Sequence, residues 1–221
     1  MESKLRSGCE ELGIVLSVDQ QRRLLRYLEL VLAENEHINV TAIRDIETAL
    51  TFHLLDSLTV VRWWQDMGHE KPPATLLDLG TGGGFPAAPL AIAWPKTKVT
   101  AIDGTGKKIG VVERCAKAAG ISNLVARHIR GGDVARDSKT RPFELITARA
   151  VGYSAKLLRE VHPLCAPGGW ICLMKGPMPP EEELRAAERF CEPKPFVMQK
   201  PYLTSLTGLE QRTILGFRRD S

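Results

Sequence analysis

The amino-acid sequence predicts an α/β protein, with a mostly parallel, doubly wound sheet, an antiparallel C-terminal hairpin and an N-terminal helical extension. Up to about residue 67, apolar side chains recur at helical spacing. Beyond the paired prolines at 72 and 73, short apolar runs that end in Gly or Asp alternate with helical stretches, which is typical of βαβ units. From residue 195 onward, two strand-like runs follow without a helix between them. We therefore expect an extension, 1–70, that packs on the core of a main domain, 71–221.

The extension should contain two amphipathic helices. One begins at Ser17, which forms a capping box with Gln20, and the other covers 46–64 with Asp45 as its N-cap. Because each helix carries an apolar stripe, both should pack against the rest of the protein. The stripes consist of Leu24, Leu28, Val31 and Leu32 in the first helix, and of Leu50, Leu54, Leu58 and Val61 in the second.

The main domain should alternate strands and helices before it ends in a hairpin. We predict strands at 74–79, 98–103, 123–129, 143–149 and 169–175. The helices between and after them should start near Pro86, Thr105, Gly152 and Pro180. The two antiparallel strands of the hairpin are predicted at 195–203 and 212–219, joined by 204–211.

The composition is that of an ordinary soluble protein. Of the 221 residues, 43% are hydrophobic and 25% charged, and no run approaches the ~18 apolar residues of a membrane span. Residues 1–7 lack the apolar core of a signal peptide. The five cysteines are scattered and never form a CxxC pair, which argues against a disulfide framework and a zinc site. We therefore expect a cytoplasmic protein without a metal.

The charge is unevenly distributed along the chain. Residues 1–70 carry 7 Lys and Arg against 12 Asp and Glu, whereas residues 71–221 carry 23 against 14. A basic main domain favours a polyanionic partner such as nucleic acid, whose counterions are released on binding. A solvated basic surface without a partner is the alternative.

The strongest local signal is a glycine-rich turn at 80–84 between a predicted strand and a predicted helix. Glycines let the backbone approach a ligand closely, and the first turn of a doubly wound sheet lies where ligands bind. A tight turn without a ligand is the alternative. Phe85 stands where a dinucleotide fingerprint starting at Gly80 needs its last glycine, so that fingerprint does not fit.

The pattern Asp78-Leu79-Gly80-Thr81-Gly82 instead resembles the D-x-G-x-G motif of class I, Rossmann-like methyltransferases that use S-adenosylmethionine. The next predicted strand ends in Asp103, where an acid can accept hydrogen bonds from both ribose hydroxyls of that cofactor. Asp103 as a plain strand-end turn residue is the alternative.

Further motifs indicate one family among the class I methyltransferases. In the main domain they are 78–92, Asp103 with Lys107 and Lys108, Arg149-Ala150-Val151 after the fourth strand and Lys175-Gly176 after the fifth. In the extension they are Asn35-Glu36-His37-Ile38-Asn39-Val40-Thr41-Ala42-Ile43 and His53-Leu54-Leu55-Asp56-Ser57-Leu58. Together they cover about 20–218 and resemble the bacterial small-subunit ribosomal RNA guanine-N7 methyltransferase family, formerly called glucose-inhibited division protein B.

The resemblance implies a set of cofactor-binding residues: Gly80, Gly82, Phe85, Asp103, Gly131, Gly132 and Arg149. The sequence departs from the family at three places. The usual Arg-x-Glu after the third strand is replaced by 130–133, Arg-Gly-Gly-Asp, so a contact through a glutamate side chain is lost there. Asp103-Gly104 replaces the usual Asp-Ser, and Pro86-Ala87 replaces Pro-Gly.

The implied reaction needs few catalytic groups, because guanine N7 is an unprotonated nitrogen with a free lone pair. Positioning is then the main task of the enzyme. Arg149 and Lys175 are the catalytic candidates because both follow buried strands, with Lys175 donating toward guanine O6. Two cations that emerge from strand ends without a role are the alternative. The Asn/Asp-Pro-Pro-Tyr/Phe element of exocyclic-amine methyltransferases is missing after the fourth strand, as is the Pro-Cys pair used against pyrimidine C5.

Candidates for RNA contacts are Asn39, Thr41, His53, Asp56, Lys107, Lys108 and Lys175. His53 and Asp56 would share one helix face, where a structural, hydrogen-bonded histidine is the alternative. Lys107 and Lys108 could equally be the exposed start of a helix. We interpret the four tryptophans as packing residues and not as a base-stacking ladder.

The sequence thus predicts a monomeric methyltransferase that converts S-adenosylmethionine to S-adenosylhomocysteine while it methylates small-subunit ribosomal RNA, free or within the small ribosomal subunit. Two other functions stay open. A small-molecule methyltransferase would show no salt-sensitive affinity for RNA. A catalytically silent RNA-binding or ribosome-assembly factor would not bind the cofactor, and the altered segment 131–133 keeps that alternative open.

Overall fold

The computed structural model describes residues 1–134, 142–149 and 152–220. The helical elements of the extension are α1 (Glu2–Glu11), α2 (Val18–Asn35), α3 (Ile46–Ala49), a π-helical segment (Leu50–Leu55) and α4 (Asp56–Asp66). The strands are β1 (Thr75–Leu79), β2 (Lys98–Asp103), β3 (Leu124–His128), β4 (Phe143–Arg149), β5 (Cys165–Lys175), β6 (Phe196–Met198), β7 (Tyr202–Leu206) and β8 (Leu209–Arg219). The other helices are α5 (Ala87–Ala93), α6 (Gly106–Ala118), α7 (Gly131–Val134), α8 (Ser154–Val161), a 3₁₀ turn (His162–Leu164) and α9 (Glu181–Cys191).

These strands form one mostly parallel sheet in the order β3-β2-β1-β4-β5-β8-β6, with β7 pairing to β8. Strands β1 to β5 are parallel, and β8 is antiparallel to β5. One hydrophobic core joins the sheet to the extension and to α5 and α6, and the other joins its opposite face to α8 and α9. The predicted doubly wound α/β fold is therefore confirmed.

In the extension, the structure confirms the predicted helix caps but differs from the predicted helices. The capping box of α2 is present: the Ser17 hydroxyl accepts from Gln20 N at 3.2 Å, and Gln20 Oε1 accepts from Ser17 N at 2.8 Å. Asp45 caps α3 as predicted. However, the uninterrupted α-helix predicted over 46–64 contains the π-helical segment. Such segments often occur at functional sites. Helix α1 was not predicted, and its Leu5 and Cys9 are buried.

The C-terminal prediction needs correction. The single strand predicted at 195–203 consists of β6 and β7, which pair with different parts of the same edge of β8. Strand β8 spans 11 residues and can therefore hold both partners in succession. Pro201 lies between them, and proline cannot donate a ladder hydrogen bond. The predicted loop 204–211 is wrong as well, because only Thr207 and Gly208 form the turn, with Gly208 at φ +83°.

Polar contacts join the extension to the main domain. Gln20 Nε2 donates to the carbonyl of Ile92 at 2.8 Å, and Arg114 makes two hydrogen bonds of 2.9 and 2.6 Å to the Glu34 carboxylate. The tryptophans pack in the core, as predicted, with Trp63 only 1% exposed. The proposed division of the chain at residue 70 stays a prediction.

All five cysteines are buried free thiols. Within the described ranges, we find no cluster of His, Cys, Asp and Glu that could hold a metal ion. None of the helices in that part of the chain has the length and apolar character needed to cross a bilayer.

Candidate functional site

A cavity of about 380 Å³ opens at the carboxyl ends of β1, β4 and β5. The glycine turn after β1 forms one wall, and the end of β4 and the residues that close β5 form another. The remaining wall comes from the extension, through its 40–43 loop and the π-helical segment, and from Arg212 of β8. In an open parallel sheet, this is the edge at which ligands bind.

The glycine turn has the backbone conformation that requires glycine. Gly80, Gly82 and Gly84 have φ angles of +69°, +57° and +88°, in the left-handed region. A Cβ atom at Gly82 would have only the Val40 carbonyl oxygen nearby, at 3.9 Å, so the turn leaves open space on its cavity side. On the other side, the buried Tyr27 hydroxyl of α2 donates to the Gly83 carbonyl at 3.0 Å.

Asp103 closes β2 directly beside this turn. Its Oδ2 accepts from the backbone N–H of Gly82 at 3.0 Å, and its Oδ1 accepts from that of Thr105 at 2.8 Å. Since each carboxylate oxygen has two lone pairs, both can accept a further hydrogen bond. A fixed carboxylate next to an open glycine turn fits the ribose diol of a nucleoside cofactor.

A second carboxyl group lies behind the turn. Asp78 is fully buried in β1, and its Oδ1 accepts from the Thr147 hydroxyl at 2.8 Å. Burial raises the pKa of Asp78 to about 6, although the Thr147 hydroxyl and the nearby Arg149 oppose the shift. This carboxyl group does not line the cavity, and its hydrogen bond links β1 to β4 behind the turn.

Asp56 bridges two arginines at the cavity wall. Its Oδ2 lies 3.2 Å from Arg149 Nη1, and its Oδ1 accepts from Arg212 Nε at 3.1 Å. All three side chains are at most 17% exposed. Arg149 also donates to the carbonyl of Phe52 at 2.7 Å. One carboxylate thus neutralises about half of the positive charge that the two guanidinium groups bring to the wall.

His53 connects this cluster to the glycine turn and to the extension loop. Its ring stacks on Phe85 with centroids 4.6 Å apart, Nε2 lies 2.8 Å from Thr41 Oγ1, and Nδ1 lies 3.4 Å from Arg149 Nη2. Burial and the Arg149 charge lower the pKa of His53 from 6.5 to about 4. The imidazole is therefore neutral at physiological pH.

This shift makes the effect of a His53→Gln substitution depend on pH. Between pH 4 and 6.5, the unfolded imidazole binds a proton and the folded one does not, so wild-type stability contributed by His53 is lost as the pH falls. We expect the loss of unfolding free energy caused by the substitution to be about 2 kcal/mol smaller at pH 5 than at pH 7.5. Urea unfolding of both proteins at the two pH values measures it.

Comparison with wild type cancels the titration of Asp78, whose raised pKa acts in the opposite direction over the same pH range. A difference between the two proteins that does not change with pH would show that His53 titrates normally in the folded state.

Lys175 ends β5 at the cavity but is held by the protein itself. Its Nζ donates to the carbonyl of Gly152 at 2.9 Å and lies 2.8 Å from Glu183 Oε1. Glu183 also accepts from the backbone N–H of Ser154 at 2.9 Å. Although burial opposes it, hydrogen bonds from Lys175 and Ser154 lower the pKa of Glu183. One of the three protons on Nζ remains for a ligand.

The predicted site residues fall into two groups. Those that line the cavity are Gly80, Gly82, Phe85, Thr41, His53, Asp56, Arg149 and Lys175, with Asp103 next to them. Those outside it are Asn39 in the exposed loop after α2, Lys107 and Lys108 in the first turn of α6, and Gly131 and Gly132 in α7. Ala150 and Val151 of the predicted motif lie outside the described residues.

The sequence did not single out Arg212 and Phe52, which line the cavity, or Tyr27, which holds the glycine turn from its other side. Arg212 stacks its guanidinium over the Phe52 ring, 5.3 Å from the centroid. No local motif marks Arg212, because its position depends on the antiparallel register in which Thr213 pairs with Lys175. Tyr27 could have been found from the sequence, since it lies three residues after Leu24 and therefore on the same helix face as the predicted stripe.

Comparisons with known proteins agree with this geometry. The model of the GidB family, rRNA small subunit methyltransferase G, matches residues 20–207. "Ribosomal RNA small subunit methyltransferase G" of Psychrobacter cryohalolentis is 34% identical over 201 residues, covering 90% of this chain and 79% of the relative. The protein of the same name from Chloroflexus aggregans is 38% identical over 178 residues, covering 80% and 72%.

Two solved structures illustrate the likeness of fold. Magnesium protoporphyrin IX methyltransferase from Synechocystis, solved with bound S-adenosylmethionine, has a TM-score of 0.61 at 15% identity and covers 88% of this chain and 97% of its own. TrmN from Thermus thermophilus has a TM-score of 0.56 at 18% identity and covers 74% and 48%.

Proposed function

This chain belongs to the rRNA small subunit methyltransferase G family, and from that premise we propose that it transfers a methyl group from S-adenosylmethionine to N7 of one guanine in small-subunit ribosomal RNA. The observation that carries the proposal is the Asp103 carboxylate, which is held against the glycine turn by Gly82 N–H beside a cavity with cationic walls.

The residues present fit the proposed cofactor. Asp103 would accept from the two ribose hydroxyls, and Gly80 and Gly82 leave the backbone open to the ligand on the cavity side. Phe85 and Arg149 both line the cavity, with the guanidinium 5.7 Å from the ring centroid, and would contact the cofactor there. When bound, S-adenosylmethionine supplies an electrophilic methyl group on a positively charged sulfur.

The cavity suits a nucleophile that needs no general base. Guanine N7 presents a free lone pair and needs no base to remove a proton. Both ring nitrogens of the neutral His53 already contact protein groups, Nε2 the Thr41 hydroxyl and Nδ1 the Arg149 guanidinium. Methylation places positive charge on the guanine ring. Asp56 offsets part of the charge of Arg149 and Arg212, so the wall repels the developing charge less than two unpaired guanidinium groups would. The remaining Lys175 proton is available for guanine O6.

Incubation with unmodified small ribosomal subunits tests the reaction. With a cofactor that carries a labelled methyl group, digestion and nucleoside mass analysis should find the label in N7-methylguanosine alone. Label in another nucleoside would refute the assignment of the target atom. Wild-type affinity for RNA should also fall steeply with salt, as expected for phosphate contacts and not for a small-molecule substrate.

The Asp103→Ala variant tests the cofactor site separately. Since a carboxylate that accepts two hydroxyl groups contributes charge-assisted hydrogen bonds, we expect its loss to weaken S-adenosylhomocysteine binding by about 30- to 300-fold. Isothermal titration calorimetry measures the Kd. Asp220→Ala, at an exposed acid close to the C-terminus, is the matched control and should retain wild-type affinity. Equal affinity of both variants would argue against the proposed role of Asp103.

We further propose the RNA contacts and the assembly state. Asn39 and the Lys107 and Lys108 pair would contact RNA phosphates around the cavity, with Thr41 at its entrance. Gly131 and Gly132 would border the adenine through their backbone. The enzyme would act in the cytoplasm as a monomer without a metal ion, and residues 1–70 would form a helical extension on the methyltransferase domain 71–221.

A further inference from the structure

Tyr153 differs from the other aromatic residues in its exposure. Its side chain is 43% exposed, and it is the one aromatic residue among the exposed large hydrophobic side chains of the described ranges. All four tryptophans are at least 95% buried. Within that same part of the chain, we find no ring contact or hydrogen bond of the Tyr153 side chain. An exposed aromatic ring without a partner leaves apolar surface in water, which burial against a ligand would relieve.

The backbone on both sides of Tyr153 is held by a closed network of partly buried polar groups. The Gly152 carbonyl accepts from Lys175 Nζ at 2.9 Å, and Ser154 N–H donates to Glu183 Oε1 at 2.9 Å. Lys175 and Glu183 are paired at 2.8 Å and only 14% and 13% exposed, which closes the network. The backbone of Tyr153 is therefore held on both sides, and its ring has only two side-chain torsions to fix when it binds.

The position of this network relates Tyr153 to the cavity. Lys175 both lines the cavity and donates to the carbonyl of Gly152, so Tyr153 directly follows a residue that is bonded to the cavity wall. The charged residues that line the cavity are the cations Arg149, Arg212 and Lys175 and the carboxylate Asp56, so the wall is positive on balance. Cations that bind phosphates next to a flat aromatic face are the combination by which proteins hold unpaired nucleotides.

We propose that Tyr153 is a stacking platform for a nucleobase of the RNA substrate at the rim of the cavity. This inference rests on the proposed function, since it assumes an RNA substrate. It also gives Lys175 a second task, which is to position Tyr153 through the Gly152 carbonyl.

Substitutions at Tyr153 can separate stacking from simple apolar contact. Tyr153→Phe keeps the flat ring, Tyr153→Leu keeps apolar area without a π-face, and Tyr153→Ala removes both. Val197→Ala on β6 is the matched control, because Val197 is 48% exposed but lies at the far edge of the sheet. For each protein, we would measure the Kd for a small-subunit rRNA fragment, the Kd for S-adenosylhomocysteine, and KM and kcat with unmodified small subunits.

We expect the phenylalanine variant and the Val197 control to stay within about twofold of wild type. The leucine and alanine variants should bind the RNA fragment about tenfold more weakly and raise KM to a similar extent, with kcat and S-adenosylhomocysteine affinity within about twofold of wild type.

Four results would overturn the inference. They are wild-type RNA affinity in the alanine variant, wild-type RNA affinity in the leucine variant, weakening of S-adenosylhomocysteine binding by the same factor, and a wild-type protein that does not bind RNA. Failure of the proposed function is a separate outcome. If the wild-type protein binds RNA but does not methylate it, the proposed methyl transfer is refuted. The RNA affinities of the variants then still decide whether Tyr153 stacks on a nucleobase.

Discussion

Gly84→Ala should destabilise the protein by about 3–5 kcal/mol and abolish detectable cofactor binding. Gly84 has a φ angle of +88°, where an L side chain is strained, and a Cβ atom there would lie 1.9 Å from the Tyr27 hydroxyl oxygen. Tyr27 cannot move away easily because it is fully buried and bonded to the Gly83 carbonyl. The glycine turn should therefore be displaced into the cavity. Urea unfolding and calorimetric titration with S-adenosylhomocysteine measure the two effects.

Two further variants separate the steric clash from backbone strain. Gly68 has nearly the same φ angle, +86°, but its Cβ atom would meet nothing within 4 Å, so Gly68→Ala should cost only about 1–2 kcal/mol. Adding Tyr27→Phe to Gly84→Ala removes the closest atom and leaves Cζ at 3.0 Å, which should restore part of the lost stability. If Gly84→Ala and Gly68→Ala are equally destabilising, the proposed contact with Tyr27 does not matter.

Asp56→Ala should lower the free energy of unfolding by about 3–5 kcal/mol, because it leaves Arg149 and Arg212 charged and mostly buried without a counterion. Activity should fall by at least about 100-fold, since both guanidinium groups line the cavity and would move apart. Urea unfolding and the methyl-transfer assay measure these effects.

A surface ion pair provides the control for this variant. Glu181 accepts from Arg185 Nη2 at 2.5 Å, but both side chains are 64% or more exposed, so Glu181→Ala should cost less than about 1 kcal/mol. In an Arg212→Ala background, Asp56→Ala should be less destabilising than in the wild type, because one cation has already been removed. Equal losses in both backgrounds would mean that Asp56 and Arg212 are not energetically coupled.

The sequence predicted the parts of the site that depend on local pattern. Asp103 and the glycine turn were predicted because each directly follows or ends a short apolar run. The parallel arrangement of β1, β2, β4 and β5 brings the carboxyl ends of these strands to one edge of the sheet. Arg149 and Lys175 were found by the same reasoning. Their partners were not, because Lys175 bonds to Glu183 and Arg149 to Asp56 across elements far apart in the chain.

The errors also have physical causes. The π-helical segment shifts the helical register by one residue, and the apolar spacing at 50, 54 and 58 does not reveal this shift. Helix α1 was missed because its composition is largely polar, and its few buried side chains find their packing partners elsewhere in the fold. The division of 195–203 into β6 and β7 depends on the length of β8, because both strands pair with it. The sequence of 195–203 alone does not contain that information.

The hydrogen bond from Tyr27 to Gly83 has a consequence for protein engineering. A boundary at residue 70 follows the sequence pattern, yet the ligand-binding turn is supported by a residue on the other side of that boundary. A chimera that takes 1–70 from one homologue and 71–221 from another would have to match the residue at 27 with those at 83 and 84. Segments 1–70 and 71–221 should therefore be taken from the same homologue.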